Sequence, residues 1–326
     1  MPLPKPRVNE NESDFIQRCV VDPTMVSEYR NDQQRIAVCY NLYENKGTKK
    51  DAEQEWLNGW DKQLDIAERQ EVANVKRYYL EQYNEAIRIF QQTRQTKNFQ
   101  TIFKRTDIYD LYADMYFRIS MRFANYFRKN YALLFKQIDT SGYDDIWKNI
   151  FSNLGLQIGQ RIAPALKETT DKTLDKELTR FLNDPDLIKL NERDAARIIT
   201  TRFANIAEYQ AKRIVRTEAT YAANIGTQQS ARDTFGKDEL EKKWKTSFDE
   251  RVRGSHAELH NTTVNYDELF SGIMFVPGDR TNGASAGDVI NCRCRVIYMP
   301  KAGIMESEKL TPEGARQVQE IIREFI

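Results

Sequence analysis

From Met25 through Ala163 the chain contains no proline, and this absence decides much of what it can become. Proline removes a backbone donor and clashes with the preceding turn, so a run of this length without it leaves long helices open. The apolar spacing takes up that option. In DIYDLYADMYFRISMRFANYFRKNYALLF, which begins at Asp107, residues Ile108, Tyr112, Met115, Ile119, Phe123 and Tyr126 form one stripe. Asp110, Asp114, Arg118, Arg122, Asn125 and Lys129 form the opposite, wet face. An aromatic stripe of this kind predicts a buried core; left exposed, it would be a partner surface.

Composition narrows the class. Charged residues make up 30% of the chain against 40% hydrophobic, and mean hydropathy is −0.70, which predicts thin cores with large wetted faces. The length of 326 residues gives room for two or three domains. A net charge of +1, from 49 basic and 48 acidic residues, argues against a dedicated nucleic-acid binder. No apolar run approaches the roughly 18 residues that span a bilayer. MPLPKPRVNENES lacks the apolar centre of a signal peptide. A soluble protein made in the cytosol is expected. Its four cysteines do not suggest a disulfide framework; reduced thiols or metal ligands are expected instead.

The predicted fold is α+β, predominantly long α-helices with a small C-terminal α+β domain of short strands and loops. Residues 1–47 read as a flexible arm and a helical hairpin of two short helices, with Cys19 and Cys39 as buried free thiols on its apolar faces. NKGTKK is a hinge, and 48–235 is an extended helical region. Pro164 marks a kink or boundary, and NDPD at 183–186 a turn. Asn191 caps a long helix whose end is placed at Gly226. Residues 236–300 form the small domain. Trp244 to Phe248 and Cys292 to Met299 are its strands. Ser255 to Glu258 reads as a capping box, Asn261 as a left-handed helix stop, and Gly283 with Gly287 as a mobile loop. Residues 301–326 close the chain as a C-terminal helix, with Thr311 as N-cap and an apolar stripe at Val318, Ile321, Ile322 and Phe325.

Chemistry concentrates between Trp244 and Cys294, which holds both histidines and two of the cysteines. His256 and His260 are four apart and share a helical face. Cys292 and Cys294 are two apart and share a strand face. Two nitrogens and two sulfurs make a zinc set; two buried thiols and two hydrogen-bonding histidines are the plainer alternative. A second constellation comprises Arg216, Glu218, Asp249, Arg251 and Arg253. It reads as a salt-bridge network joining the long helix to the small domain. With His256 as general base it could also serve phosphate chemistry on a nucleic acid or nucleotide. Lys212, Arg213 and Arg216 make a short basic patch, a solvated face or a contact for packaged DNA.

The order of RTEATYAANIG, W-x-T-x-x-D-x-R-V-R-x-S-H-A-x-L-H, F-x-G-x-x-F-x-PGD and INCRC over about residues 190–300 resembles the bacteriophage Mu protein F family of minor head proteins. The segment FIQRCVVDPTMVSEYRNDQQRIAVCY resembles a short module of tailed-phage head proteins. The resemblance carries over to Arg216, Thr217, Glu218, Trp244, Asp249, Arg251, Arg253, His256, Gly278, Asp279, Cys292 and Cys294. Asn261 stands where the pattern has glycine, and both residues tolerate a positive φ. The resemblance implies a virion protein, inside the capsid near the portal vertex, that acts in head assembly and genome packaging or ejection; a structural and interaction protein, not an enzyme, is expected. The implied partners are the portal protein, with the major capsid protein or scaffold, and no membrane. The N-terminal hairpin and the C-terminal helix are the expected docking elements.

Overall fold

A computed structural model describes residues 3–7, 10–29, 31–44, 52–96, 99, 102–131, 142–247 and 252–301. Ten α-helices and a three-stranded sheet are present among them. The helices are α1 (Glu12–Val20), α2 (Pro23–Glu28), α3 (Asp32–Glu44), α4 (Ala52–Thr93), α5 (Arg105–Tyr131), α6 (Tyr143–Asn183), α7 (Pro185–Ile188), α8 (Glu192–Phe235), α9 (Gly254–Ala257) and α10 (Ala286–Val289). The strands are β1 (Leu240–Lys245), β2 (Thr263–Asn265) and β3 (Arg295–Pro300). The chain is thus α+β, with its sheet near the C-terminal end. The NKGTKK hinge, Asp249, Arg251 and the C-terminal helix lie outside the described residues. No described helix is long and apolar enough to cross a membrane.

The described residues divide into two compact units. One draws on 64–122 and 140–222, the other on 1–63, 123–139 and 223–326. The former has an aromatic core in which the Tyr83 ring lies 4.9 Å from Phe203 and 5.6 Å from Phe103. The α5 stripe is buried as expected at Ile108, Tyr112, Met115 and Ile119. On its wet face the Arg118 guanidinium is exposed, as expected. That guanidinium forms a two-point bond with Glu71, at 2.7 and 2.8 Å, and Glu71 is buried. Asp114 stands farther off at 3.6 Å. Pro164 neither ends nor interrupts the helix: α6 continues on both sides of it. Asp184 caps the short α7, where the NDPD turn was expected.

In the other unit the N-terminal segment forms three helices, not two. Cys19 and Cys39 are buried as expected but are bonded to each other as a disulfide, because α1 and α3 bring their Cα atoms to 5.8 Å. Phe15 and Met25 complete that small core. On its other side α3 places Ala37 against Val252 and Ala257 beside α9. Trp60, on α4, is fully buried against Phe123 at 4.8 Å, with its indole N–H 3.4 Å from the Thr227 hydroxyl.

One helix boundary moved. Asn191 does cap α8, accepting from the Asp194 amide at 2.9 Å. The helix passes Gly226 and stops nine residues later, where Gly236 takes a φ of 82°. Asn261 has a φ of 63°, in the left-handed region expected for it.

The sheet has the order β2-β1-β3, antiparallel throughout, with Trp244 opposite Val296 and Lys242 opposite both Val264 and Tyr298. Its central strand begins at Leu240, earlier than the sequence suggests. LEKKWK lacks an apolar alternation because Lys242, Lys243 and Lys245 are all buried. Lys242 donates to the Phe275 carbonyl at 2.8 Å, and its ammonium sits 3.6 Å from the Phe275 ring centroid. Burial pulls its pKa down to about 8, against the opposing pull of Asp267, Asp279 and Glu268. A lysine that holds its proton less tightly folded than unfolded costs stability while both states are charged. The cost is present in full below about pH 8 and is relieved as pH rises toward the unfolded lysine value of about 10.4. Wild type should therefore gain stability relative to Lys242→Met between pH 8 and 10 in urea titrations. A flat difference across that window would refute the assignment.

Candidate functional site

His256 is carried on α9, a single turn held from both ends. Arg253 precedes it in extended conformation and donates its guanidinium to the Ile290 carbonyl. On the opposite side Gly254 meets Gln33 of α3 so closely that a Cβ there would clash with the amide. The expected capping box at Ser255 does not form: the helix starts one residue earlier and has no side-chain cap. The box forms instead at Ser285 and Asp288, in the stretch expected to be a mobile loop, and starts α10. That turn leads into Asn291, whose φ is 56°, and so into Cys292 and Cys294.

The two cysteines lie just ahead of β3 rather than within it, yet both still face His256. Nδ1 of His256 is 3.6 Å from the Cys292 sulfur and 3.5 Å from the Cys294 sulfur. The three ligand atoms lie within 4.8 Å of one another, and all three residues are buried. Neither thiol is in a disulfide. The Trp244 ring packs edge-on against the imidazole at 5.3 Å, and Phe270 lies behind it at 5.1 Å. Cys292 is held well below the usual thiol range, first by the hydrogen bond from Cys294, with His256 adding to it against the effect of burial. Burial pushes Cys294 up, and the neighbouring Cys292 adds to that. The His256 Nε2 atom has no hydrogen-bond partner among the described residues.

His260 is placed elsewhere. Its Nδ1 accepts from the Thr246 amide at 3.3 Å and lies 3.2 Å from the Thr246 hydroxyl, and its ring lies tilted against that of Tyr40 at 5.2 Å. The helix expected to carry both histidines ends at Ala257, so their four-residue spacing does not put them on one face. The fold therefore brings together three of the four expected ligands.

The polar residues of the second constellation are seen at its ends. Glu218 is buried and accepts from the Tyr116 hydroxyl at 2.6 Å. Thr217 donates back to the Arg213 carbonyl at 3.0 Å. Arg216, Lys212 and Arg213 are exposed. Gly278 has the positive φ its turn requires, 88°. Asp279 beside it is buried and accepts from the amides of Phe275 and Thr281, the Thr281 hydroxyl and the Asn282 amide.

Sequence reasoning passed over Asn224. This fully buried side chain donates to the Cys294 carbonyl at 3.2 Å and accepts from the Val296 amide at 3.0 Å. It does for β3 what a neighbouring strand would do. The signal was a polar residue among alanines in YAANIG, on the face of a helix that has to be buried.

The family described as Phage Mu protein F like protein matches residues 159–297. Among curated proteins, the chain is similar to the NAD(+)--arginine ADP-ribosyltransferase EFV of Enterococcus faecalis, 36% identical over 91 residues. That alignment covers 27% of this chain and 18% of the relative, so the chain spans under a fifth of the protein it matches. No solved structure matches.

Proposed function

From the premise that residues 159–297 make this chain a Mu protein F-like phage head morphogenesis protein, we propose that it is a minor structural component of the virion. It would sit at the portal vertex and act in head assembly and in packaging or ejection of the genome. One observation carries the non-catalytic part of this reading: the polar side chains of its motifs are spent on the fold. Glu218, Asp279 and Arg253 are each bonded to groups of their own chain, and the first two are buried. A catalytic acid or base needs a reachable partner in a substrate; a framework residue needs only a satisfied one. The ligand set of the His256 group, two sulfurs and an imidazole nitrogen, is of the zinc type.

Two features favour an internal, particle-bound place. The long helices supply extended surfaces, and the near-balanced charge suits a protein that packs beside DNA without binding it tightly. Quantitative peptide mass spectrometry of purified particles, with portal peptides as internal standard, tests the reading. A copy number at or below that of the portal is expected. A number many times higher would make the protein scaffold or cargo, and its absence from particles would remove it from the virion altogether.

A further inference from the structure

We infer that His256, Cys292 and Cys294 bind one zinc ion, as a three-ligand centre that excludes His260. The first argument is metric. Zinc bonds to sulfur at about 2.3 Å and to imidazole nitrogen at about 2.0–2.1 Å. At tetrahedral angles those lengths place nitrogen and sulfur about 3.5–3.6 Å apart. The two nitrogen–sulfur separations here are 3.5 and 3.6 Å. The ligands come from two segments, α9 and the lead-in to β3, and are already converged by backbone contacts that do not involve the sulfurs. Arg253 ties α9 to Ile290, and Asn224 holds the Cys294 carbonyl.

The second argument is charge. A divalent ion, two thiolates and a neutral imidazole sum to zero. A neutral cluster is what a site as dry as this one accepts, since an uncompensated buried charge is costly. The donors also select the ion. Thiolate with imidazole suits zinc, whereas magnesium and calcium prefer oxygen. Among the described residues no fourth His, Cys, Asp or Glu joins the group.

The third argument is location. The ligands lie on a four-residue turn and on the segment between α10 and β3, with little regular structure to hold them. An ion that joins α9 to β3 would fix the turn on which α3 packs through Ala37, Val252 and Ala257. The inference does not depend on the head-assembly reading, because metal content is measured on the isolated chain.

The test is elemental analysis of the full-length protein purified without chelator. Wild type and His260→Ala should each carry one equivalent of zinc; Cys292→Ser, Cys294→Ser and His256→Ala should each fall below about a tenth. Those three variants could lose metal simply by failing to fold, so wild type is also loaded with cobalt(II). Thiolate-to-cobalt charge transfer with intense tetrahedral d–d bands is expected. Zinc retained in the cysteine variants would place the ion elsewhere. Zinc lost from folded His260→Ala would overturn the three-ligand set. Zinc absent from wild type, with no cobalt spectrum, would overturn the centre itself.

Discussion

Asn224→Ala should destabilise the unit that contains the sheet by about 2–4 kcal/mol, read as a fall in the urea midpoint. The estimate follows from what the alanine leaves behind. The Cys294 carbonyl and the Val296 amide are both in the interior, and each loses its bond to the side chain. An unsatisfied buried donor or acceptor costs about 1–3 kcal/mol, more than a satisfied bond contributes. A small cavity adds to the loss. Asn224→Asp separates the two bonds. It keeps an acceptor for Val296 but offers no donor to Cys294, and it adds a buried charge, so it should be at least as harmful as alanine. Trp244, packed edge-on to His256, reports the transition by fluorescence. Alanine within about 0.5 kcal/mol of wild type, the range of ordinary surface changes, would mean that water or a backbone shift replaces the side chain.

The helical part of the chain was legible because periodicity and proline placement are local signals. The absence of proline from Met25 through Ala163 left long helices open there, and the stripe from Ile108 onward led directly to α5. Errors arose where a distant partner decides. Lys242, Lys243 and Lys245 disguise a central strand, since nothing local says that an ammonium will find a carbonyl, a ring face or a carboxylate from far along the chain. Ser255 and Glu258 match a capping box, but α9 is held by Arg253 and Ile290 instead, and no spacing rule contains that bond. Cysteine pairing failed for the same reason. The Cys19–Cys39 bond depends on how α1 meets α3, while Cys292 and Cys294 depend on an imidazole 36 and 38 residues away. The residue types of the candidate site were readable, and so was the grouping of three of the four expected ligands; the departure of His260 was not. Its four-residue offset from His256 means one face only if the helix continues.

Glu53→Ala is the second change expected to cost heavily, about 3–5 kcal/mol by the measured behaviour of buried pairs that lose one member. Glu53 is on α4, with its side chain 10% exposed, and bonds the Lys245 ammonium; the Lys243 ammonium stands at 3.9 Å. Lys245 is itself 3% exposed and also donates to the Asn261 amide oxygen, 2.6 Å away. Truncating the carboxylate would leave that cation in the interior beside a strand that cannot move away, because β1 is hydrogen-bonded on both edges. The pair joins the start of a long helix to the centre of the sheet, so its loss should separate elements that local sequence does not hold together. Glu53→Gln keeps an acceptor and the volume but removes the charge, and should recover part of the loss. Glu53→Met with Lys245→Met should recover more than the sum of the singles, with a coupling above about 1 kcal/mol, since paired apolar replacements often match a buried ion pair. Additive single and double losses would show that the two side chains act separately, and that α4 is fastened to the sheet by packing at Trp60 and by the Arg295–Asp61 bond at 3.0 Å instead.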